Sequence, residues 1–444
     1  MTRRLNRRTF VKSSLLAGFG LPLIRTDGRA ASTERLSIAC VGVGGKGWSD
    51  MVETAKSPNV DIVAICDIDE TANHLGRAAE MFPKATRYTD WREILDKEKT
   101  DAVIVSTPDH MHAPVAFSAM QRGRHVYCQK PLTHTVHEAR ALASIARESG
   151  VMTQMGNQIQ AFAEYRSAVQ LVHGGAIGKV KEVFSWQAGT PGWRLADDRP
   201  AGKDPIPEGV HWDNWLGVAP KRPFKEKIYH AFNWRHWQDF SNGQLGDFGC
   251  HILDPVFMSL GLTAPVSVEA TAPPMNREVW TSSAQVRYVF PGTERTAGDT
   301  INVTWIDGPG HKPVEQLKGV IDADKLPGSG SVLIGEKGSL LIPHVGAPKL
   351  LPEETFADAE YPQLERQSHY ILWADACRGV GKTNSNFSYA GNLTETILLG
   401  TIAIRLPETK LTWDAPSMKL TGHPKAARML TKKYRKGWEI DGLS

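Results

Sequence analysis

The stretch LSIACVGVGGKG, residues 36–47, decides the fold of this chain. Its apolar, β-branched first half predicts a buried strand, and its second half is a GxGxxG turn that leads into a helix pattern over 48–55. A second strand is predicted over 60–66, and it runs into Asp67, 20 residues after Gly47. A glycine turn between a strand and a helix, followed at this spacing by an acid, predicts a Rossmann fold that binds a dinucleotide.

The glycines of this turn and the acid have separate predicted roles. Gly42 permits the tight turn, Gly44 lets the backbone approach a pyrophosphate, and Gly47 lets the helix pack closely on the strand. Gly45 belongs to the same phosphate-binding turn at the helix N-terminus. Asp67 is expected to bind the ribose hydroxyls and to repel a 2′-phosphate, so NAD is the predicted cofactor and NADP the alternative.

Helices and strands continue to alternate as far as residue 154. The predicted helices are 70–82, 113–122 and 137–149, and the predicted strands are 102–106, 125–128 and 151–154. Such alternation predicts a doubly wound parallel sheet, and ligands bind such sheets at the carboxyl ends of the strands.

Two motifs lie at these strand ends, TPDHMH at 107–112 and QKP at 129–131. Each proline stops its strand because it lacks an N–H and fixes φ, so the motifs are expected to face the cofactor. Their predicted cofactor-binding residues are Thr107, Pro108, His110, His112, Gln129 and Lys130. No metal site is predicted at the two histidines, because no further ligand lies at a usual spacing.

The first 31 residues have the pattern of a twin-arginine export signal. Arg7 and Arg8 precede Thr-Phe-Val-Lys, and an apolar stretch of twelve residues follows over 13–24. A helix of that length, about 18 Å, is too short to span a membrane. We therefore expect handling by the twin-arginine export machinery and a periplasmic or otherwise exported protein. The expected domains are 32–157 for the cofactor and 158–444 for substrate and self-association.

Charge and cysteine content exclude several classes of protein. The net charge of +4 comes from the first 31 residues, which hold seven basic residues and one acid and leave 45 basic and 47 acidic residues elsewhere. Binding to nucleic acid or to an anionic membrane surface is therefore not expected, nor is a membrane span in the mature chain. The five cysteines are far apart and form no CxxC pair, which argues against a disulfide framework and a structural zinc site.

The second half follows a different pattern. After a helix over 161–173, strands follow one another with few helices between them, at 180–187, 266–272, 283–290, 301–305, 331–335 and 338–342. This order predicts a largely antiparallel, open sheet. Two helices, 362–378 and 391–405, are predicted near the end of the chain.

A long insertion over 188–250 is rich in Gly, Pro and Trp, and long loops in compact enzymes are usually functional. Six of the thirteen tryptophans lie in or beside it: Trp186, Trp193, Trp212, Trp215, Trp234 and Trp237. Aromatic faces pack against sugar rings, and Trp234 and Arg235 are the predicted substrate residues. The competing interpretation is that most of these tryptophans fill a core.

The segment GQLGDFGCHILD, residues 243–254, carries the candidate acid–base group. If a helix opens at Asp247, then Asp247, His251 and Asp254 share one face. An acid and a histidine on one face can form a base with an orienting partner. They are equally explained as a helix cap and a core histidine.

Taken together, these motifs resemble the Gfo/Idh/MocA oxidoreductase family over about residues 34–405. The resemblance implies an open-faced second domain that oligomerises, and oxidation of a secondary alcohol of a sugar or cyclitol. Lys130 would bind the reacting hydroxyl, His251 would act as general acid/base and substrate contact, and Asp247 would orient His251 or bind the substrate. Asn157 lies in a segment like the family's interdomain link and would face the cofactor. Gln129 departs from the family, which usually has Glu there.

Export has a consequence for the chemistry. Free nicotinamide cofactor is scarce outside the cytoplasm, so the cofactor must be loaded before export, retained, and restored in each cycle. Hydride transfer between two sugars, or to another acceptor, satisfies this condition. So does an NAD-dependent glycoside hydrolase or lyase that oxidises the ring transiently. A non-catalytic sugar-binding sensor is a third hypothesis.

Overall fold

The computed structural model describes residues 35–189 and 196–443. The predicted export signal and Trp193 lie outside these residues. Within them, no helix has both the length and the apolar character that a membrane span requires.

The first half forms a parallel sheet of six strands in the order β3-β2-β1-β4-β5-β6. Its strands are β1 (Leu36–Val41), β2 (Val60–Cys66), β3 (Thr86–Tyr88), β4 (Ala102–Val105), β5 (His125–Cys128) and β6 (Thr153–Met155). Its helices are α1 (Gly45–Ala55), α2 (Leu75–Met81), α3 (Trp91–Lys97), α4 (Asp109–Gln121) and α5 (Val136–Ser149). The predicted Rossmann fold is confirmed.

Local side-chain chemistry explains where this half differs from prediction. The helix expected over 70–82 begins at Leu75, because the Asp69 carboxylate accepts the N–H of Thr71 and holds the chain in a turn. The helix expected over 113–122 begins at Asp109, directly after Pro108. Strand β3 and helix α3 were not predicted, since both are short.

The second half contains a nine-stranded sheet in the order β13-β12-β11-β7-β10-β9-β8-β14-β15. Its strands are β7 (Val180–Gln187), β8 (Ser267–Thr271), β9 (Ala284–Pro291), β10 (Thr300–Asp307), β11 (Ser329–Gly335), β12 (Ser339–Pro343), β13 (Lys349–Leu351), β14 (Leu411–Asp414) and β15 (Lys419–Thr421). Every pair is antiparallel except β7 with β10. The predicted, largely antiparallel sheet is confirmed, although the last three strands were not predicted.

Helices of the second half are α6 (Ala163–His173), α7 (Trp212–Leu216), α8 (Gly243–Ile252), α9 (Asp254–Leu260), α10 (His369–Cys377) and α11 (Phe387–Ile404). Capping side chains explain why two of these helices begin at residues other than those predicted. Ser368 accepts the N–H of Ile371 at the start of α10, and Asn386 accepts two N–H groups at the start of α11.

Helix α11 joins the two halves. It packs on α5 of the first domain and on α8 of the second. Glu395 of α11 is fully buried and contacts Arg140 of α5. The main apolar core runs through this joint and includes Leu142, Leu245 and Ile397. The two domains therefore share one core, and this core sets α8 beside the carboxyl ends of the Rossmann strands.

The segment 196–242, here called the strap, lies against the cofactor edge of the first domain. His211 donates its backbone N–H to Ile68 at 2.8 Å, and Glu70 donates its N–H to Gly209 at 2.9 Å. The strap has its own aromatic core, which contains Trp212, Trp215, Tyr229, Trp234, Trp237 and Phe240. The core interpretation is therefore confirmed for four of the tryptophans, and Trp186 is also buried.

Candidate active site

A cavity of about 650 Å³ lies between the Rossmann strand ends, the strap and helix α8. All but three of the predicted site residues line it. They are Gly42, Gly44, Gly45, Asp67, Thr107, Pro108, His112, Gln129, Lys130, Trp234, Arg235, Asp247 and His251. The cavity volume is in the range found for small-molecule and cofactor sites.

The glycine turn is shaped for close approach. Gly42 has φ +79°, and a Cβ there would lie 2.7 Å from the carbonyl oxygen of Ser106. A Cβ at Gly47 would lie 1.9 Å from the carbonyl oxygen of Gly42, so α1 can pack on β1 only with glycine at this position. The Asp67 carboxylate accepts the N–H of Val43 at 2.9 Å and of Gly44 at 3.1 Å. These residues fit the cradle that a dinucleotide requires.

Three predicted residues do not line the cavity. Gly47 allows the close contact between α1 and β1. His110 is fully buried, its Nε2 lies 3.2 Å from the carbonyl oxygen of Trp215, and its ring packs against Trp215 and Phe240. Asn157 is also fully buried. His110 therefore packs behind the wall formed by Trp215, and neither His110 nor Asn157 lines the cavity.

Lys130 meets Asp247 inside the cavity. The Lys130 ammonium contacts the Asp247 carboxylate and donates to its backbone oxygen at 2.7 Å. Burial alone would raise the pKa of Asp247, but the charges of Lys130 and Arg235 hold that pKa below its usual value. Asp247 is therefore ionised and holds the lysine in place.

His251 lies one turn after Asp247 on α8, as predicted. Burial, followed by the charge of Lys130, lowers the pKa of His251 well below its usual value, so the imidazole is neutral. Its Nδ1 has no hydrogen-bond partner among the described residues. Asp247 contacts Lys130, so the expected role of Asp247 in orienting His251 is not seen here.

Asp254 was wrongly placed on the same face. Helix α8 ends at Ile252, and Asp254 begins the next helix. Its carboxylate accepts from Gln160 and Tyr389, away from the cavity.

Asp109 is a cavity residue that sequence reasoning missed. Its carboxylate accepts the backbone N–H of Asn242 at 3.0 Å and the side-chain amide of Asn242 at 3.2 Å. Burial, together with the charge of Asp247, raises the pKa of Asp109 to about 7. Its position within TPDHMH was the available signal, but the burial that makes it unusual comes from the strap.

Two family models match this chain. One, described as "Oxidoreductase family, NAD-binding Rossmann fold", matches residues 36–157, and the other, described as "Oxidoreductase family, C-terminal alpha/beta domain", matches residues 162–325. The chain belongs to the Gfo/Idh/MocA oxidoreductase family. The resemblance of its motifs to this family is thereby confirmed.

Individual Gfo/Idh/MocA relatives are distant. A glycosyl hydrolase family 109 protein 1 from Shewanella sp. strain ANA-3 is 29% identical over 160 residues, 34% of this chain and 34% of the relative. A levoglucosan dehydrogenase from Pseudarthrobacter phenanthrenivorans is 24% identical over 178 residues, 40% of this chain and 37% of the relative. This chain therefore matches little more than a third of each relative's length.

The solved WlbA dehydrogenase of Bordetella pertussis, in complex with NADH and UDP-GlcNAcA, has the same overall fold. Its TM-score is 0.60 at 15% identity, and the match covers 86% of this chain and 99% of that chain. At this identity the likeness shows that the two chains share both domains of the Gfo/Idh/MocA architecture.

The departure of this Gfo/Idh/MocA chain at Gln129 has a structural explanation. The Gln129 amide donates to the Asp50 carboxylate at 2.8 Å, and Ser106 donates to the same oxygen at 2.7 Å. Asp50 is fully buried and also contacts Lys46. A glutamate at position 129 would place a second carboxylate beside buried Asp50 in place of the amide that donates to it.

His112 contacts two backbone carbonyl oxygens, those of Pro131 and Thr107, each at 2.7 Å.

A separate cluster of three side chains could hold a metal ion. Asp69, His74 and His230 each offer one ligand atom, and these atoms lie within 4.8 Å of one another. His230 Nε2 lies 2.7 Å from Asp69 and thereby connects the strap to the first domain. Sequence spacing could not show this group, because His230 is 161 residues from Asp69.

Proposed function

We propose that this protein is an exported oxidoreductase that moves a hydride between a secondary alcohol of a sugar, glycoside or cyclitol and a tightly bound nicotinamide cofactor. The observation that carries the proposal is the Lys130–Asp247 contact beside neutral His251, in the same cavity as the glycine turn. One cavity thus holds a dinucleotide cradle and a set of groups that can bind and deprotonate a hydroxyl.

The roles of the residues follow from the chemistry of alcohol oxidation. A bound nicotinamide ring supplies the hydride acceptor. Lys130 hydrogen-bonds the reacting hydroxyl, and Asp247 keeps the lysine ammonium at its position. His251 is neutral and lines the cavity beside Lys130, so we assign it the role of accepting the hydroxyl proton.

Carboxylates at the ribose end support NAD over NADP. Asp67 lines the cavity beside the glycine turn, and Asp69 lies behind it. Although burial favours its protonation, hydrogen bonds from His230 and Thr71 hold the pKa of Asp69 below its usual value. Two carboxylates would repel a 2′-phosphate.

Retention of the cofactor is supported by the strap. Its backbone hydrogen bonds to Ile68 and Glu70 hold it beside the ribose end, and Phe232 from the strap lines the cavity. Dilution after export requires a dissociation constant in the nanomolar range or below, about −12 kcal/mol. The strap is the element we expect to supply slow release.

The alternative function is NAD-dependent glycoside hydrolysis or elimination through transient ring oxidation. The match to a glycosyl hydrolase family 109 protein favours it. Both functions use the same first step at Lys130 and His251. A non-catalytic sugar sensor is the weaker alternative, because it would not need Lys130 held by Asp247.

The test begins with the purified exported protein. Denaturation should release NAD, identified by mass spectrometry. The intact protein is then incubated with glycosides, and the products are analysed for ketosugar against free aglycone. Ketosugar supports the oxidoreductase and free aglycone supports the hydrolase. Absence of any nicotinamide would overturn both.

Variants assign the chemistry to the site. Lys130→Ala should abolish turnover while NAD stays bound, and Lys56→Ala, at an exposed lysine directly after α1, is the matched control with normal turnover. Full activity in Lys130→Ala would refute the role given to that lysine.

A further inference from the structure

Arg235 lies in the cavity in an unusual setting. Its guanidinium carbon is 4.4 Å from the centre of the Phe232 ring and 4.3 Å from the centre of the Trp234 ring. The side chain is 20% exposed. Stacking on aromatic rings restricts the rotation of an arginine and holds its donors in place.

Most N–H donors of the Arg235 guanidinium have no acceptor among the described residues. A guanidinium has five N–H donors, and the hydrogen bond found there runs from Nη1 to the carbonyl oxygen of Phe232 at 3.2 Å. The Asp247 carboxylate lies 3.9 Å from Nε, which is too far for a hydrogen bond. The remaining donors are available to a molecule in the cavity.

The charge of Arg235 is also poorly balanced. Asp247 is shared with Lys130, which it contacts directly. Asp109 accepts from Asn242, and its pKa of about 7 leaves it only partly ionised at neutral pH. Burial lowers the pKa values of His251 and His344, so these rings add no compensating charge. This end of the cavity therefore has an excess of positive charge.

We propose that Arg235 binds a carboxylate on the substrate and that the substrate is a uronic acid or a uronic acid-containing glycoside. This inference rests on the proposed oxidation at Lys130 and names its substrate class. The planar guanidinium matches a carboxylate in two parallel hydrogen bonds. Lys130 and Arg235 both approach the same oxygen of Asp247, so the reacting hydroxyl and the carboxylate fit on one sugar ring. The small excess of positive charge at this end of the cavity matches a single negative charge better than a phosphate dianion.

The experiment compares three methyl glycosides with the NAD-loaded protein: a glucuronide, a glucoside, and a glucoside 6-phosphate. The rate of bound-NAD reduction in a single turnover is measured against glycoside concentration, the half-saturating concentration being taken as KM, and binding is measured by calorimetry. The glucuronide should have a KM at least about tenfold below that of the glucoside, as expected for hydrogen bonds to a charged group. Arg235→Gln should raise the glucuronide KM by about 10- to 100-fold and remove the preference, and Arg235→Lys should keep part of it.

Controls separate this inference from the proposed function. Arg428→Gln, at an exposed arginine, should change nothing, and released NAD should be equal in all variants. Turnover with equal KM values for glucuronide and glucoside, or a preference for the phosphate, would overturn the carboxylate site and leave the oxidoreductase standing. Glucuronide binding that is lost in Arg235→Gln, without turnover of any sugar, would support the site and overturn the proposed oxidation.

Discussion

The two ends of the cavity are built by different means. At the cofactor end, backbone geometry decides the shape, since Gly42 and Gly47 leave no room for a Cβ. At the substrate end, charged side chains from distant parts of the chain meet, as Lys130 does with Asp247, 117 residues away. Damage to the first end should therefore remove the cofactor, whereas damage to the second should stop turnover and leave the cofactor bound.

The largest expected effect is at the substrate end. Asp247→Ala removes the anion that holds Lys130 and leaves a buried cation without a charged partner. We expect kcat to fall by about a thousandfold or more, as for loss of a group that positions a catalytic residue. Released NAD, measured by mass spectrometry, should equal that of the wild type. Loss of NAD from this variant would show that the two ends are not separable.

The cofactor end is tested by Gly47→Ala. Its Cβ would lie 1.9 Å from the Gly42 carbonyl oxygen, so α1 must move away from the turn. We expect little or no NAD to be released by the purified variant. Gly328→Ala, at a position where a Cβ would come no closer than 3.7 Å to another atom and φ is not positive, is a control for the effect of adding a methyl group and should retain NAD. Equal NAD in wild type and Gly47→Ala would refute the glycine cradle.

The Asp50–Gln129 pair lies between the two ends. Gln129→Glu replaces the amide that donates to Asp50 with a second buried carboxylate, and we expect the free energy of unfolding to fall by about 1–3 kcal/mol. In the double variant with Asp50→Asn, the amide at position 50 can donate to the carboxylate at position 129. Denaturant unfolding should show partial recovery in this double variant. Additive losses from the two single changes would contradict a direct interaction between positions 50 and 129.

The smallest expected effect concerns pH. Burial raises the pKa of Asp254 to about 7, whereas its unfolded value is near 3.8. Between these values the folded state holds a proton that the unfolded state has lost, so stability falls as pH rises, by at most about 1.4 kcal/mol per pH unit for this group. Unfolding midpoints from about pH 5 to pH 7 should have a shallower slope in Asp254→Asn. An unchanged slope would contradict the burial of a protonated acid.

Sequence predicted the glycine turn and Asp67 because their signals are local, but it also predicted that His110 and Asn157 face the cofactor, and neither lines the cavity. A strand, three glycines and an acid over about thirty residues specify the turn. The substrate end was predicted only as far as single elements show. The i, i+4 spacing placed Asp247 and His251 on one helix, but it did not show the break before Asp254, the pairing with Lys130, or the buried Asp109. The helix break, the ion pair with Lys130 and the burial of Asp109 depend on α11 and the strap, and contacts between distant segments position both.

The most direct test of the central claim is a single-turnover experiment on the purified protein. The protein, as purified and without added cofactor, is mixed with a glucuronide and a glucoside, and the near-ultraviolet absorbance of reduced nicotinamide is followed. We predict that the absorbance rises to the level set by bound NAD in the wild type and does not rise in Lys130→Ala. An absence of any rise in NAD-loaded wild type, or an equal rise in Lys130→Ala, would contradict the account.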